Sequence, residues 1–257
     1  VVDNGSEDGT PKLVKKTFKD VKVIELMKNV GTAAYDEAIK HSKSKYVYFT
    51  GCDIGVKNDM LDKLVDFLED NKYAALAAPK YVNFYNRKQI DLGGTWLSRS
   101  FYSGTFKDDT LGSENVGIPY IGTGLIRTGF IKKFGYLNDK DYFFYGEDVD
   151  LGLRIWLLGF KVYYIPYAIV YHMGSISRRI HKSGYLTFLM ERNLLTTFFK
   201  ILSVKNILLL LPYVIIMRFF AMAKDLARLD FMNFFARLKA IFFVVFNFSS
   251  IIKKRGK

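Results

Sequence analysis

The sequence predicts an α/β protein: a Rossmann-like, mostly parallel central sheet with flanking helices, followed by hydrophobic, basic C-terminal helices. Three observations carry this prediction. Strand-length apolar runs alternate with amphipathic helix-length runs over residues 1–80, the pattern of a sheet covered on both faces. Acidic residues close those strands, where sheets of this class bind ligands. Residues 200–257 combine eleven Lys and Arg and two Asp with abundant Leu, Ile and Phe, so this segment supplies nine charges of the chain's net +13.

In chain order, "VVDNGSEDGT" runs from two β-branched residues into a polar, glycine-containing turn, so a strand ends here. Thr10 reads as an N-cap with Pro11 at the first helical position. "VKVIEL" (21–26) is a strand, "TAAYDEAIKHS" (32–42) a helix, and "KYVYFT" (45–50) a strand ending at Gly51, Cys52 and Asp53. In "NDMLDKLVDFLED" (58–70), Met60, Leu61, Leu64, Val65 and Leu68 fall on one helical face. "YAALAAP" (73–79) is the next strand. A second parallel strand is normally reached through a βαβ unit of roughly 30 residues, yet residue 1 already ends a strand. The expectation is therefore an N-terminally truncated sheet, with one strand and one helix upstream. Residues 82–118 lose periodicity and read as a long loop. "PYIGTGLIRTGFIKKFG" (119–135) resumes as a strand and a short helix.

Composition bounds the function. Half the residues are hydrophobic and 16% are aromatic, ample for a core and incompatible with global disorder. The single cysteine, Cys52, excludes an internal disulfide and a Cys-rich zinc site. Basic residues interleaved with apolar ones point to an anionic membrane surface. No nucleic-acid-binding motif accompanies them, so nucleic acid is not an expected partner.

Read together, "VVDNGSEDGT", "GEDVDLGLRIWLLGFKVYYIPYAIVYHMGS" and "RN" (192–193) resemble glycosyltransferase family 2, in its rhamnosyltransferase-like branch. The resemblance covers residues 1–195, read as one glycosyltransferase domain, and leaves 196–257 as a membrane-associated helical tail. It implies a GT-A fold, a nucleotide-diphosphate-sugar donor and inversion at the anomeric carbon. Inverting transfer needs a base for the acceptor hydroxyl and positive charge on the departing diphosphate. The resemblance assigns the base to Asp148, with Glu147 beside it; adjacent carboxylates repel, so one holds its proton to higher pH. The alternative for all three acids, Asp150 included, is a helix start stabilised by the N-terminal dipole. For Asp150, capping and acceptor-side positioning stand side by side.

The same resemblance places Asp53 at the donor diphosphate and pairs it with His172 around a divalent cation, Mn or Mg. The second acid of the usual pair is Gly55 here, and one carboxylate plus phosphates can suffice for such an ion. The alternative is a turn Asp and a strand-end His. Asp3 matches the acid that contacts the nucleobase, or closes an Asx turn. Asn29 and Gly31 match the donor-side turn before a helix, or form an ordinary turn. Gly122 and Gly124 would lie on the acceptor side. The acceptor is expected to be a glycan or a polyprenyl-linked glycan, at the cytoplasmic face of a membrane. Two rival functions remain open: a catalytically silent nucleotide-sugar or glycan-binding module of the same fold, and a nucleotidyltransferase. In the tail, Pro212 and Arg218 interrupt "NILLLLPYVIIMRFFAMA" (206–223) and a second apolar run spans 240–252. Interfacial helices, a tilted or re-entrant hairpin, and core or dimer-forming helices are the three readings of that pattern.

Overall fold

Two long strands, Ala74–Asn83 (β5) and Lys161–His172 (β11), lie side by side and parallel at the centre of the computed structural model. The structure describes residues 1–120, 122–174 and 183–255. Ile121, Ser175 at the end of the quoted histidine motif, and Gly256 and Lys257 of the basic terminus lie outside the described residues. Tyr46–Phe49 (β3), Ile54–Val56 (β4) and Gly124–Arg127 (β10) complete a sheet of order β3-β10-β5-β11-β4. Ile90–Leu92 (β6) adds to β5 and Val116–Ile118 (β9) to β11. Val2–Asp3 (β1) and Ile24–Glu25 (β2) form a separate parallel pair, and Thr95–Leu97 (β7) and Ser103–Thr105 (β8) a hairpin.

The α/β class and the shared direction of the main strands follow the strand–helix alternation, and antiparallel strands join the sheet expected to be mostly parallel. β3, β5 and β11 share one direction, while β10 enters between β3 and β5 in the opposite one. The short strands β4, β6 and β9 also pair antiparallel. Residues 82–118 are not one loop: β6 to β9 each have three residues, too few for a period-two pattern to register.

Helices cover both faces. Met60–Asp70 (α3) packs Met60, Leu64, Phe67 and Leu68 against Ala74, Ala77 and Ile165. Its apolar face is rotated slightly from the expected one, because Leu61 is 40% exposed and Phe67 is buried. Leu64 is fully buried, and truncating such a side chain to Ala costs roughly 2–5 kcal/mol. Ala34–Ile39 (α2), Thr128–Phe134 (α4) and Glu147–Leu157 (α5) pack on the opposite face, where Ile131, Leu151 and Ile155 meet Phe49, Leu76 and Ile126. Thr10–Thr17 (α1) starts one residue before the expected cap: Gly9 caps it with φ 84°, and Pro11 sits in the first turn.

Among the described residues four further helices follow: Ser183–Ile201 (α6), Val204–Ala227 (α7), Phe231–Phe246 (α8) and Phe248–Lys253 (α9). The boundary expected at 195/196 falls inside α6. Leu194, Leu195 and Phe198 of α6 share one core cluster with Phe101, Tyr120 and Val149 before it and Val214, Val244 and Ile251 after it. Pro212 and Arg218 do not interrupt α7, which runs unbroken for 24 residues.

Candidate active site

Strand register assembles the first half of the site. β11 pairs with β4 so that His172 stands opposite Ile54, and Met173 N–H donates to the Asp53 carbonyl at 2.9 Å. Asp53, one residue before β4, is thereby placed beside His172, with imidazole Nε2 3.4 Å from Asp53 Oδ2. On its other side His172 Nδ1 lies 2.9 Å from Asp91 Oδ2, on β6. Asn83 and Gln89 amides also donate to Asp91. The hydrogen bond to Asp53, with Asp91 adding to it and burial opposing it, raises the His172 pKa above its ordinary value. The same bond lowers that of Asp53.

Among the described residues no group of three or more His, Cys, Asp or Glu side chains forms a ready-made metal cage. Asp91 contacts the imidazole edge opposite Asp53, so it does not share an ion with Asp53. What remains is a two-ligand half-site, one carboxylate oxygen and one imidazole nitrogen. Such a half-site fits an octahedral cation of about 2.1 Å ligand distance whose other positions are filled by water and phosphate oxygens. Asp91 occupies the position from which a carboxylate fixes the tautomer of a ligating histidine. It lies in the aperiodic segment, so periodicity gave no signal for it.

The second half is the start of α5. Residues 142–146 climb into it through three left-handed positions, Phe143 (φ 62°), Tyr145 (φ 64°) and Gly146 (φ 82°). A side chain with a Cβ resists such a backbone, at a cost of order 1–3 kcal/mol each. The conformation is held from α6. Asn193 Nδ2 donates to the carbonyls of Tyr142, Phe144 and Tyr145 at 3.0, 3.0 and 2.5 Å, and Arg192 Nη2 to that of Tyr142 at 2.8 Å. This gives the "RN" pair a role that sequence reading left blank. Gly146 caps α5 without a side-chain acceptor, so none of the three acids is its N-cap. Glu147 and Asp148 line a cavity of about 400 Å³ together with Asp53, His172, Gly122, Thr95, Thr105 and Tyr120. Burial raises the Glu147 pKa to about 8, helped by the neighbouring Asp148 charge, and burial raises that of Asp148 to about 6. Glu147 Oε2 is shut off from solvent with no hydrogen-bond partner.

Asp150 and Gly124 lie away from this cavity, Gly122 borders it, and Asp3 takes the Asx-turn alternative. Asp150 is fully buried behind the site. Its oxygens meet Arg154 Nε at 2.8 Å and Lys200 Nζ at 2.5 Å, with Tyr142 Oη at 3.3 Å. It locks α5 to α6 and does not line the cavity of Glu147 and Asp148. Gly122 does face Asp148, since a Cβ there would sit 3.9 Å from Asp148 Oδ2. Gly124 does not; it belongs to β10, where a Cβ would lie 2.6 Å from the Ala77 carbonyl oxygen. Asp3 closes an Asx turn, accepting from Gly5 and Ser6 N–H at 3.2 and 2.9 Å; the Ser6 side chain first, and then these backbone bonds, lower its pKa. Its neighbour Asn4 lines the adjoining cavity instead, a residue the sequence reading did not single out.

That adjoining cavity, of about 770 Å³, runs from Val1 and Val2 past Asn29 and Gly31 to Gly51 and Cys52. Asn4 shapes it: its amide donates to Gly31 O at 2.9 Å and accepts from Val30 N–H at 2.8 Å. Asn29 Oδ1 accepts from Gly31 N–H at 2.9 Å. Gly31 has φ 66°, and a Cβ there would collide with the Phe143 carbonyl. Thr32 N–H donates to that carbonyl at 2.9 Å. The turn of Asn29 and Gly31 is thus braced against the loop that leads to Asp148. The two cavities share Thr32, Tyr35, Phe49, Gly51, Cys52 and Phe144 and form one cleft.

Comparison with known proteins agrees with this architecture. No curated protein matches the chain. Solved structures do, among them the crystal structure of GalNAc-T7 with UDP, GalNAc and Mn2+, at a TM-score of 0.59 and 16% identity. The match covers 76% of this chain and 40% of GalNAc-T7, so the chain spans less than half of that protein and the likeness concerns the GT-A-like fold alone. The family model described as Glycosyl transferase family 2 matches residues 1–134, over half of the 257 residues and inclusive of Asp53, Asp91 and most of the cleft wall. The chain belongs to glycosyl transferase family 2.

Proposed function

We propose that this chain transfers a sugar from a nucleotide-diphosphate-sugar donor to a hydroxyl of a glycan or lipid-linked glycan, with inversion at the anomeric carbon. The observation that carries the reading is the meeting of Glu147–Asp148 and Asp53–His172 in one cavity. Family membership supports the reaction class. In this reading Asp148 removes the acceptor proton as the acceptor oxygen forms its bond to the anomeric carbon. The bond from that carbon to the diphosphate oxygen breaks, and the diphosphate leaves with the electron pair. A pKa near 6 leaves Asp148 ionised and still basic at neutral pH, the compromise a general base needs. Glu147, raised to about 8, keeps its proton there and adds no second negative charge beside the base.

Asp53 and His172 would hold a divalent cation, which would supply positive charge to the departing diphosphate; the Mn2+ in GalNAc-T7 is in keeping with that. Asp91 orients His172. Asn4, Asn29 and Gly31 form the donor-side wall. The basic, apolar tail supports work at the cytoplasmic face of a membrane. The test is a screen of nucleotide sugars that follows nucleotide diphosphate release with and without membrane lipid extract. Release stimulated by extract and abolished in Asp148→Asn supports transfer. Donor binding with no release for any donor, with or without extract, leaves the silent binding module as the reading.

A further inference from the structure

Helix α7 is turned inside out. Arg218, the charge in the middle of its apolar run, is 3% exposed and faces the protein. Its Nη1 donates to the Ser100 carbonyl at 2.8 Å, and its Nε lies 3.3 Å from Glu191 Oε2. Arg237 of α8 pairs with Glu191 and, at 2.7 Å, with Asp225 of α7. Val214, Arg218 and Asp225 are the buried residues of α7, and at 3.6 residues per turn they fall on one stripe. Opposite that stripe, Leu209, Ile216 and Phe220 are 64%, 51% and 65% exposed. Phe235, Phe242 and Phe246 of α8 are exposed as well. Helices with charges paired inward and large apolar side chains outward suit an apolar surrounding, where polar groups turn to the bundle interior.

We infer that α7 and α8 rest in the outer hydrocarbon of an anionic phospholipid surface, with α7 lying along the membrane plane. Length alone would let α7 cross, with 24 residues and a mean hydropathy of 1.9. Its attachments argue for the plane. Val214 is part of the core cluster that holds Tyr120 and Val149, and Arg218 is bonded to the Ser100 carbonyl. A spanning helix would drag those partners into the bilayer. Charge chooses lipid over a second copy of the chain. Lys205 stands exposed at the start of α7, and Lys224 and Arg228 at its end. Anionic headgroups attract such a rim, whereas a two-fold interface would set it against itself.

The placement deepens the glycosyl-transfer reading, on which the next statement rests. Ser100 and Phe101 lie in the turn between β7 and β8, and Thr95 and Thr105 of that hairpin line the cavity of Asp148. The acceptor end of the cleft is thus tied to the membrane-facing helix, which suits an acceptor glycan carried on a lipid.

The experiment is co-sedimentation of the full chain with vesicles of phosphatidylcholine plus phosphatidylglycerol, and of phosphatidylcholine alone. Binding to the anionic vesicles is expected. Ile216→Asp with Phe220→Asp should lower it about tenfold or more, with the melting curve unchanged. Tryptophan fluorescence of Leu209→Trp, Ile216→Trp and Phe220→Trp, each against the parent baseline, should be quenched equally by lipids brominated near the headgroup. Failure of the parent to sediment, or full binding by the doubly substituted chain, overturns the proposal. Quenching that changes steeply with depth along the helix overturns the in-plane placement in favour of a spanning one. A parent dimer that the two Asp substitutions split, with no vesicle binding, assigns the face to a second copy instead. Asp148→Asn should bind vesicles like the parent, so loss of transfer and loss of membrane binding remain separate results.

Discussion

Glu147 and Asp148 are neighbours in sequence, yet the fold pushes their proton affinities apart, to about 8 and about 6. Two prediction tests follow from single side chains. A base works only as the carboxylate, and Asp148 is ionised above its raised pKa. Transfer should therefore fall as pH drops through about 6, well above the range of an ordinary Asp. Asp148→Asn should retain donor affinity and lose about 10²–10⁴ in rate; transfer at the parent rate would move the base to Glu147. The second concerns Asp91, whose carboxylate can only accept, so the proton it meets at 2.9 Å is that on His172 Nδ1. Nε2, which faces Asp53, would then give up its own hydrogen to ligate the proposed cation. In Asp91→Asn the amide can donate to Nδ1 instead, which puts the hydrogen on Nε2. Mn2+ affinity, read by electron paramagnetic resonance with a nucleoside diphosphate present, should fall about 10–100-fold. Diphosphate affinity without the cation should hold. An unchanged Mn2+ affinity would leave Asp91 a purely structural partner of Asn83 and Gln89.

Elements explain which parts of this site could be read from sequence. Strand ends were legible, since "KYVYFT" and "AIVY" are β-rich runs stopped by polar residues; the family resemblance paired Asp53 with His172, and the fold sets them 3.4 Å apart. The start of α5 was legible because an acidic cluster precedes a helical apolar run. What was hidden depends on pairing between distant segments. β10 has four residues, and nothing local says that it runs against β3 and β5. Asp91 lies on a three-residue strand and acquires its partner only when β6 joins β5. Asp150 shows the same limit. Its place in the acidic cluster left capping and acceptor-side positioning side by side, but two helical steps of about 100° each turn it away from Asp148, toward Arg154 and Lys200. Removing one member of a buried ion pair strands the other charges, which costs about 3–5 kcal/mol. Asp150→Ala should therefore lower unfolding free energy by about that amount in a urea titration. A change within about 0.5 kcal/mol, the scale of a surface substitution, would return Asp150 to the acceptor side.

At the scale of the whole molecule, the tail shares a hydrophobic cluster with residues from the first half of the chain. The family resemblance ends near 195, and the basic, apolar composition beyond it suggested a separate tail. Packing does not follow composition. Val214, Val244 and Ile251 close the cluster that contains Tyr120 and Val149, and Arg255 donates to the carbonyls of Phe199 and Leu202 at 3.2 and 2.7 Å. Lys254 pairs with Asp139 and Asp141, in the approach to α5. A chain ending at Leu202 would uncover Phe101, Leu194 and Phe198 to water, at about 1.5–3 kcal/mol for each large apolar side chain fully exposed. It would also leave Glu191 without Arg218 and Arg237. Together these losses are comparable to the whole stability of an ordinary domain, about 5–15 kcal/mol. The truncated chain should therefore lose its cooperative melting transition, bind a hydrophobic dye and fail to bind nucleotide sugar even without any membrane. A detachable anchor makes the opposite prediction: a soluble truncated chain that melts within a few degrees of the parent and keeps donor affinity. Melting both chains in detergent-free buffer decides between the two. The truncated chain should also fail to regain its transition when anionic vesicles are added, because what it lacks is core packing and not a surface to rest on.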